Sequence, residues 1–498
     1  MKSASNSFVI GAAAAALLAG LVYVNALRNP FVYDDYHTVV QNPSIQDMRN
    51  LRALLLHDVT RPVIAVSYGI DRAIWGPAPL GFHVTSVLLH VLNIVLLFHL
   101  ARRLSEDPLV AFSAAALFAT HPMMTEAVGY ISGRSEVLCT TWFLAALLCG
   151  RRWVRGDGSR WGVATVSLWA LALATKETAA MFPFVFAAYD WLASRDDAAD
   201  KRRRLVTIHF PLVATAILGG LVRVAVLARI EYPGQVHVQW SFLLLDLDVA
   251  RRYIGLMINP VHQTIFHEVR RLDGLFDPRT AIAFAVVGAL LAAAWQVRRI
   301  EWLATFGIAW FLLALVPSAA LIMLDQGEPM TEHRVYLASC GFFLTAGGAI
   351  GWLRAQMEDF SAPIRRGAAI LLALVIAAFA AETLKRNAVW ADPIKLWGES
   401  VDLAPEHYRP RLLLGEALVD AGRGDEAVEQ FQTAIRLRPT EPTGYVKLGE
   451  CLALAGRWRE ARLYLLKAME IDPHNAPARH ALTAVDAMVS RPGMHDAR

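Results

Sequence analysis

Phe31-Val32-Tyr33-Asp34-Asp35-Tyr36-His37 stands directly after an apolar segment that runs from Phe8 to Leu27 and ends at Arg28-Asn29-Pro30. Two adjacent carboxylates at the water end of a membrane helix are costly to hold so near lipid. Ionisable residues in or beside membrane spans are functional candidates by default. Taken alone, Asp34 and Asp35 would be two solvated loop charges. The rest of the chain argues against that.

With 498 residues, 55% of them hydrophobic and 18% charged, the chain has a mean hydropathy of +0.38. The apolar residues gather in long runs, which sets the membrane class first. The net charge of +4 is small and its basic residues sit in short connections. They report topology, and no nucleic-acid partner is expected. Cys139, Cys149, Cys340 and Cys451 are scattered without metal-type spacing and read as packing residues. Phe8–Leu27 is as long as a full span and Arg28-Asn29-Pro30 is a poor cleavage site, so an uncleaved first helix is expected.

The first outer loop, about 28–80, carries structure of its own. Ser44 followed by Asp47 resembles a capping box, and Met48, Leu51 and Leu55 then share a helical face, as in an amphipathic helix on a membrane surface. Val63 to Trp75 is a second apolar stretch, after Arg61-Pro62. Further apolar segments run at roughly 82–100, 109–121, 135–150, 161–175, 178–193, 205–227, 280–297, 302–324, 335–353 and 366–384. With the first, about eleven transmembrane helices are expected. Short ones such as 109–121 extend into their polar ends or stop partway across.

Alternate connections are Arg-rich: Arg102-Arg103, Arg151-Arg152 with Arg155 and Arg160, Lys201 to Arg204, Arg298-Arg299, and Arg354 with Arg365-Arg366. Placing these inside puts the Asp34-Asp35 loop outside, and an odd number of spans places everything after Leu384 outside too. The outer connections hold the unusual residues. These are His121-Pro122 with Thr125-Glu126, Gly133-Arg134-Ser135-Glu136, Lys176-Glu177, Arg251-Arg252-Tyr253 and Asn259-Pro260 in the long loop 228–278, and Glu332-His333-Arg334-Val335-Tyr336. Singly, these are local ion pairs or helix ends. Together they place carboxylates, Arg, Lys and His at the same membrane face as Asp34-Asp35, and a shared polar site is the better reading.

Beyond Leu384 a repeat appears. Leu414-Gly415, Leu418, Ala427, Phe431, Ala434 and Pro439 recur 34 positions later as Leu448-Gly449, Leu452, Ala461, Leu465, Ala468 and Pro473. Period and residue types match the tetratricopeptide pattern, whose small residues let two helices cross closely. Trp397 and Pro405 fit the end of an incomplete earlier repeat, and 477–489 fits a capping helix. So few repeats bury little surface alone. The tail is a structural appendage or a concave peptide-binding surface.

Paired acids at a membrane face suit an enzyme that takes an activated group from a lipid carrier. A carboxylate serves as general base on an acceptor hydroxyl, while nearby Arg or Lys holds a phosphate leaving group. The sequence contains neither a G-x-x-x-x-G-K-[ST] nor a zincin motif.

The acidic pair, the many spans and the outward soluble domain resemble the GT-C class of glycosyltransferases that use lipid-linked sugars. The chain is most similar to the TMTC family, membrane O-mannosyltransferases with tetratricopeptide repeats. The matching residues are Phe31 to Asp35, Arg61-Pro62, Phe82-His83 with His90 and Asn93, His121-Pro122 with Thr125 to Val128, Gly133 to Leu138, Lys176-Glu177, Tyr189-Asp190 and Glu332 to Leu337. The resemblance implies an all-α fold: a multi-span GT-C-like domain over 1–386 and an outward tetratricopeptide domain over 387–498. It implies transfer of a sugar, mannose in the family, from a polyprenyl-phosphate carrier to Ser or Thr of a protein acceptor that the repeats could hold. The reaction would be inverting, with no metal and no cofactor.

By the same resemblance Asp34 is the catalytic base, Asp35 orients the base or acceptor, and Glu126 sits near acceptor or sugar. Arg134, Lys176 and Arg334 are candidates for the carrier phosphate; Arg61, His83, Glu177, Glu332 and His333 complete the substrate-binding set. Two departures stand out: the second acidic position is Asp where related protein mannosyltransferases have Glu, and the array is shorter than in the animal members. The Ala- and Arg-rich composition points to a bacterial inner membrane, with undecaprenyl phosphate as carrier and the repeats in the periplasm. The competing readings are a lipid- or glycan-directed sugar transferase and a non-catalytic scaffold that recruits partners through its repeats. A transporter fits less well, since the charges gather at one face.

Overall fold

The computed structural model describes residues 2–194, 196–226, 228–229, 240–270, 272, 274–318 and 328–490. Among these, every regular element is helical. The chain divides into two compact units, one of Met1–Gln263 with Val269–Ala391, the other of Thr264–Glu268 with Asp392–Arg498.

In the first unit α1 (Lys2–Val22) leads through a short 3-10 turn, Val24–Arg28, into the acidic loop. The amphipathic helix expected there is α2 (Leu51–His57), but its cap differs. Asn50, not Ser44, accepts from the Ala53 N–H at 3.0 Å. Ser44 lies in a separate turn, Pro43–Ile45, capped by Asn42. Leu54 is buried against the protein, while Leu51, Leu55 and Leu56 stay exposed. An Asx side chain one residue before the helix outcompetes a distant Ser.

There follow α3 (Pro62–Trp75), α4 (Pro79–Ser105), α5 (Pro108–Thr120), α6 (Thr125–Gly129), α7 (Arg134–Val154), α8 (Ser159–Leu173), α9 (Phe182–Ala193), α10 (Ala198–Arg204) and α11 (Phe210–Val226). Proline opens α3, α4 and α5, where its missing N–H costs nothing. Next come α12 (Trp240–Ile258), α13 (Pro278–Val297), α14 (Trp302–Leu315), α15 (Tyr336–Gln356) and α16 (Ala362–Trp390).

Each of the eleven expected segments contains a helix, but their lengths divide them. Among the described residues seven helices are long and apolar enough to cross a bilayer. An eighth crossing results if α5 and the Pro122–Gly129 piece, bent by 60° at His121, count as one. The segments 161–175, 178–193 and 302–324 yield helices of 15, 12 and 14 residues. At 1.5 Å per residue these are shorter than a hydrocarbon core of about 30 Å. Residues 319–327, at the end of the last segment, lie outside the described residues. The short helices carry their polar ends, His121 and Lys176, into the fold.

The long loop 228–278 is interrupted by α12, which sequence inspection passes over. Its Arg251 and Arg252 fold back on Asp248 at 2.7 and 2.8 Å, so they are local partners. The core of the unit is built from Phe98, Phe118, Phe143, Trp310, Tyr336 and Phe343. α14 and α15 cross with backbones touching: a Cβ on Gly307 would meet the Gly341 carbonyl at 2.3 Å. Small residues at a membrane helix crossing permit this approach.

The second unit contains α17 (Pro393–Leu403), the helix pairs α18 (Tyr408–Asp420) with α19 (Gly424–Leu437) and α20 (Pro442–Leu454) with α21 (Trp458–Ile471), and α22 (Ala476–Val489). Gly415 admits the Phe431 ring and Gly449 admits Leu465, each where a Cβ would clash at 2.4 and 2.7 Å. The turns repeat as faithfully as the core. Gly422 and Gly456 both take positive φ, +74° and +75°, and the following Arg423 and Arg457 each clasp a carboxylate, Glu426 and Glu460, at 2.7 Å. Phe266, from the Thr264–Glu268 segment, packs on Trp397 and His407 within this unit.

Candidate active site

The acidic loop is fastened at several points. His83 Nε2 donates to the Asn29 carbonyl at 3.0 Å, and Asn29 Nδ2 donates to the Gly129 carbonyl at 3.1 Å. Tyr33 adopts φ +50°, which turns the chain sharply before the two acids. Their environments are opposite. Asp35 is fully buried: its Oδ1 accepts from the Ser132 N–H and hydroxyl at 2.8 and 2.7 Å, and its Oδ2 from the Val32 N–H at 3.1 Å. Burial pushes its carboxyl up to about 7 despite those three donors. The Asp34 residue is exposed, and its backbone N–H donates to the Tyr130 hydroxyl at 3.1 Å. Tyr130 in turn stacks on Trp390 at 5.5 Å. An exposed carboxylate is thus carried on a clamped backbone.

The break between α8 and α9 supplies the second group. Lys176 has extended backbone and is nearly buried; its Nζ pairs with Glu136 at 3.0 Å and donates to Ser135 Oγ at 3.2 Å. Arg61, at the head of α3, reaches both oxygens of Glu177 at 2.9 and 3.0 Å. Burial opposes ionisation of Glu177, but Arg61 and Lys176 hold its carboxyl down at about 2.

A third group joins α6 to the start of α15. His333 Nδ1 and Glu126 Oε1 are 2.6 Å apart, and the Glu332 N–H donates to Glu126 Oε2 at 2.8 Å. Gln263 Nε2 donates to the Glu332 carboxylate at 2.9 Å. Arg334 Nη1 donates to the Glu328 carbonyl at 2.7 Å. His333 lies within electrostatic reach of Lys176, Arg334, Glu136 and Arg61, which links the second and third groups. Tyr68, whose hydroxyl donates to the Ile131 carbonyl, interacts with both Asp35 and Arg61 and links the first.

Arg134 is enclosed more completely than Arg61, Lys176 or Arg334. It is fully buried, pairs with Asp71 at 2.6 Å, donates to Ser86 and Ser67 hydroxyls at 3.0 and 3.1 Å and to the Phe82 carbonyl, and lies over the Tyr68 ring at 4.9 Å. All its nitrogens face protein. His83 is likewise buried and faces the loop backbone. The structure therefore places Asp34, Asp35, Arg61, Glu126, Lys176, Glu177, Glu332, His333 and Arg334 in three groups within electrostatic reach of one another through Tyr68 and His333, while Arg134 and His83 are buried in the protein. Sequence inspection missed Ser132, Tyr130, Asp71 and Gln263. The Ser132 position could have been suspected from its place beside Gly133-Arg134, and Asp71 from being an acid inside the apolar stretch Val63 to Trp75. No group of three or more His, Cys, Asp or Glu suited to a metal occurs among the described residues.

These features define an integral, multi-pass helical membrane protein that carries tetratricopeptide repeats. Residues 62–226 match the family model described as dolichyl-phosphate-mannose-protein mannosyltransferase, and 412–476 match the tetratricopeptide repeat. The chain is 25% identical to Protein O-mannosyl-transferase Tmtc1 of Drosophila melanogaster, over 89% of this chain and 63% of that protein. It is 24% identical to Protein O-mannosyl-transferase F38B6.6 of Caenorhabditis elegans, over 84% and 61%, and 25% identical to Protein O-mannosyl-transferase TMTC1 of Homo sapiens, over 88% and 56%. The expected resemblance to TMTC proteins is thus met, and the chain spans between 56% and 63% of these relatives' length. Among solved structures, the Archaeoglobus fulgidus oligosaccharyltransferase shares a TM-score of 0.44 and 13% identity, over 84% of this chain and 58% of that one. That overlap is too loose to carry an argument.

Proposed function

We propose that the chain is a GT-C-type membrane glycosyltransferase that moves a sugar, mannose by analogy with its relatives, from a polyprenyl-phosphate carrier to Ser or Thr hydroxyls of proteins. The Asp34 carboxylate takes the proton of the acceptor hydroxyl as that oxygen attacks the anomeric carbon. The bond from that carbon to the carrier phosphate breaks, and polyprenyl phosphate leaves. Attack from the face opposite the leaving group inverts the anomeric centre. Cationic side chains answer the phosphate charge, so the reaction needs neither metal nor cofactor. The observation that carries this reading is the split between the two acids: Asp35 is buried and fastened, while Asp34 stands exposed on the rigid backbone beside the shared polar region.

Roles divide by availability. Among the described residues Arg61 and Lys176 each have a carboxylate partner, whereas Arg334 donates Nη1 to the Glu328 carbonyl, which leaves guanidinium donors for phosphate. Arg334 is therefore the first candidate for the carrier phosphate, and Arg134 a support for the fold. Glu126 with His333 would border the sugar or acceptor. The repeats would hold the acceptor on the outer side, the periplasm if the chain lies in a bacterial inner membrane. The test is transfer of radiolabelled mannose from polyprenyl-phosphate-mannose to protein by purified wild type and Asp34→Asn. Incorporation by wild type and loss in the variant supports the reading. Equal incorporation by both removes Asp34 as base, and no incorporation with any lipid-linked sugar favours a non-catalytic scaffold.

A further inference from the structure

At the opposite, Arg-rich end of the first unit lies a cavity of about 1140 Å³ that no part of the proposed transfer reaction uses. It opens where three candidate spans finish, at Ser105, Val154 and Gln356, and where α14 begins at Trp302. That is interface depth for each helix, and Trp302, Trp352 and Tyr189 in the wall are residues that favour it. Arg103, Arg151 and Arg155 line one side, with Arg103 and Arg155 close enough to repel Arg151 and the Tyr189 hydroxyl beside Arg151 and Arg155.

Like charges do not gather at such a spot without compensation. Among the described residues none of these three arginines has an ion pair, whereas Arg204, in the same wall, is held by Asp190 and Asp196 at 2.9 Å. Asp107 caps α5 at 2.7 Å and pairs with Arg354 at 3.5 Å. The other carboxylates of the wall, Glu106, Asp200 and Glu301, have no ion pair either among the described residues. Arg151 donates to the Arg103 carbonyl at 3.2 Å and has Asp157 within electrostatic reach, so the cavity offers charges of both signs that stand outside ion pairs, next to membrane.

The geometry points to a binding site for the head group of an aminophospholipid, its phosphate on Arg103, Arg151 and Arg155 and its ammonium toward the unpaired carboxylates. Basic pockets between membrane helices commonly take lipid phosphates, and the guanidinium fork matches phosphate oxygens. Neutralising the arginine cluster would fasten the ends of α4 and α7 together without touching the acidic loop.

Native mass spectrometry of the purified full-length protein tests this. The probes are dioleoylphosphatidylethanolamine, dioleoylphosphatidylglycerol, dioleoylglycerol and inorganic phosphate, against wild type and the double variant Arg103→Gln/Arg155→Gln. Both arginines are exposed, so the variant should fold, and an unchanged melting temperature checks that. The expected result is retained phosphatidylethanolamine in wild type, retention weakened on the order of tenfold in the variant, and no retained dioleoylglycerol. Retention that ignores the variant, or equal retention of dioleoylglycerol, overturns the site. Preference for phosphatidylglycerol overturns the ammonium assignment, and displacement of the lipid by millimolar inorganic phosphate shows that free phosphate is the true ligand.

Discussion

Asp35 Oδ1 receives both the backbone N–H and the hydroxyl of Ser132, at 2.8 and 2.7 Å, from 97 residues away. The same contact ties the acidic loop to the turn before α7. It gives the second acid of the pair a structural task, while the first stays exposed.

Substitutions at the two positions should therefore part company. Asp34→Asn alters one exposed side chain, so its melting temperature should match wild type within about 0.5 kcal/mol of stability. Its transfer activity should fall on the order of a hundredfold or more, the range of a lost general base. Asp35→Ala strands the Ser132 and Val32 donors in a buried place and should cost about 2 kcal/mol or more. A wild-type melting curve for Asp35→Ala would show that the fastening is not what holds the loop.

The raised carboxyl of Asp35 sets a pH dependence of known sign. Its folded value, about 7, exceeds the ordinary 3.8 of an unfolded Asp, so the folded protein keeps a proton that the unfolded chain releases between those values. The contribution is fully present below pH 3.8 and is lost as pH rises through 7. Melting temperatures measured from pH 5 to 8 should fall more steeply in wild type than in Asp35→Asn. Parallel slopes would mean that Asp35 is ionised throughout.

The repeat unit offers a test independent of any activity. A methyl on Gly449 would lie 2.7 Å from Leu465 Cγ and 3.3 Å from the Ala461 carbonyl, both in the facing helix. Gly449→Ala should destabilise the array by about 1–3 kcal/mol through overpacking. Gly398, helical with open space around its Cα, is the control. Gly398→Ala should gain about 0.5–1 kcal/mol. Limited proteolysis of the full chain at rising temperature reads both.

What the sequence makes legible follows from period. The repeats announce themselves because Gly415 and Gly449, Ala427 and Ala461 meet the same packing demand 34 residues apart. Long apolar runs such as Pro79–Ser105 need no partner to be recognised. α12 escapes because Asp246, Asp248, Arg251 and Arg252 interrupt its apolar run, and Asp248 neutralises the arginines only once the helix has formed. The polar region was legible as a list of residues but not as pairs, since Lys176 and Glu136 or Glu126 and His333 meet only through tertiary packing. Arg134 shows the limit most clearly: in the sequence it is one more outer-face cation, and burial with Asp71 alone sets it apart.

That difference between two arginines gives the sharpest prediction about the site. Arg134→Ala leaves the Asp71 carboxylate buried without its cation, a loss of about 3–5 kcal/mol. The variant should express poorly or melt early, and replacing Asp71 by Asn in the same chain should recover part of the stability. Arg334→Ala disturbs one bond to the Glu328 carbonyl, so the protein should fold as wild type. Its KM for the polyprenyl-phosphate sugar should rise on the order of tenfold or more, with Arg334→Lys intermediate because a point charge replaces a fork. Kinetics over donor concentration, read beside melting curves, separate the two. If Arg334→Ala leaves KM unchanged while a folded Arg134→Ala raises it, the phosphate is held at the buried arginine after all, and α3 and α4 must part to admit it.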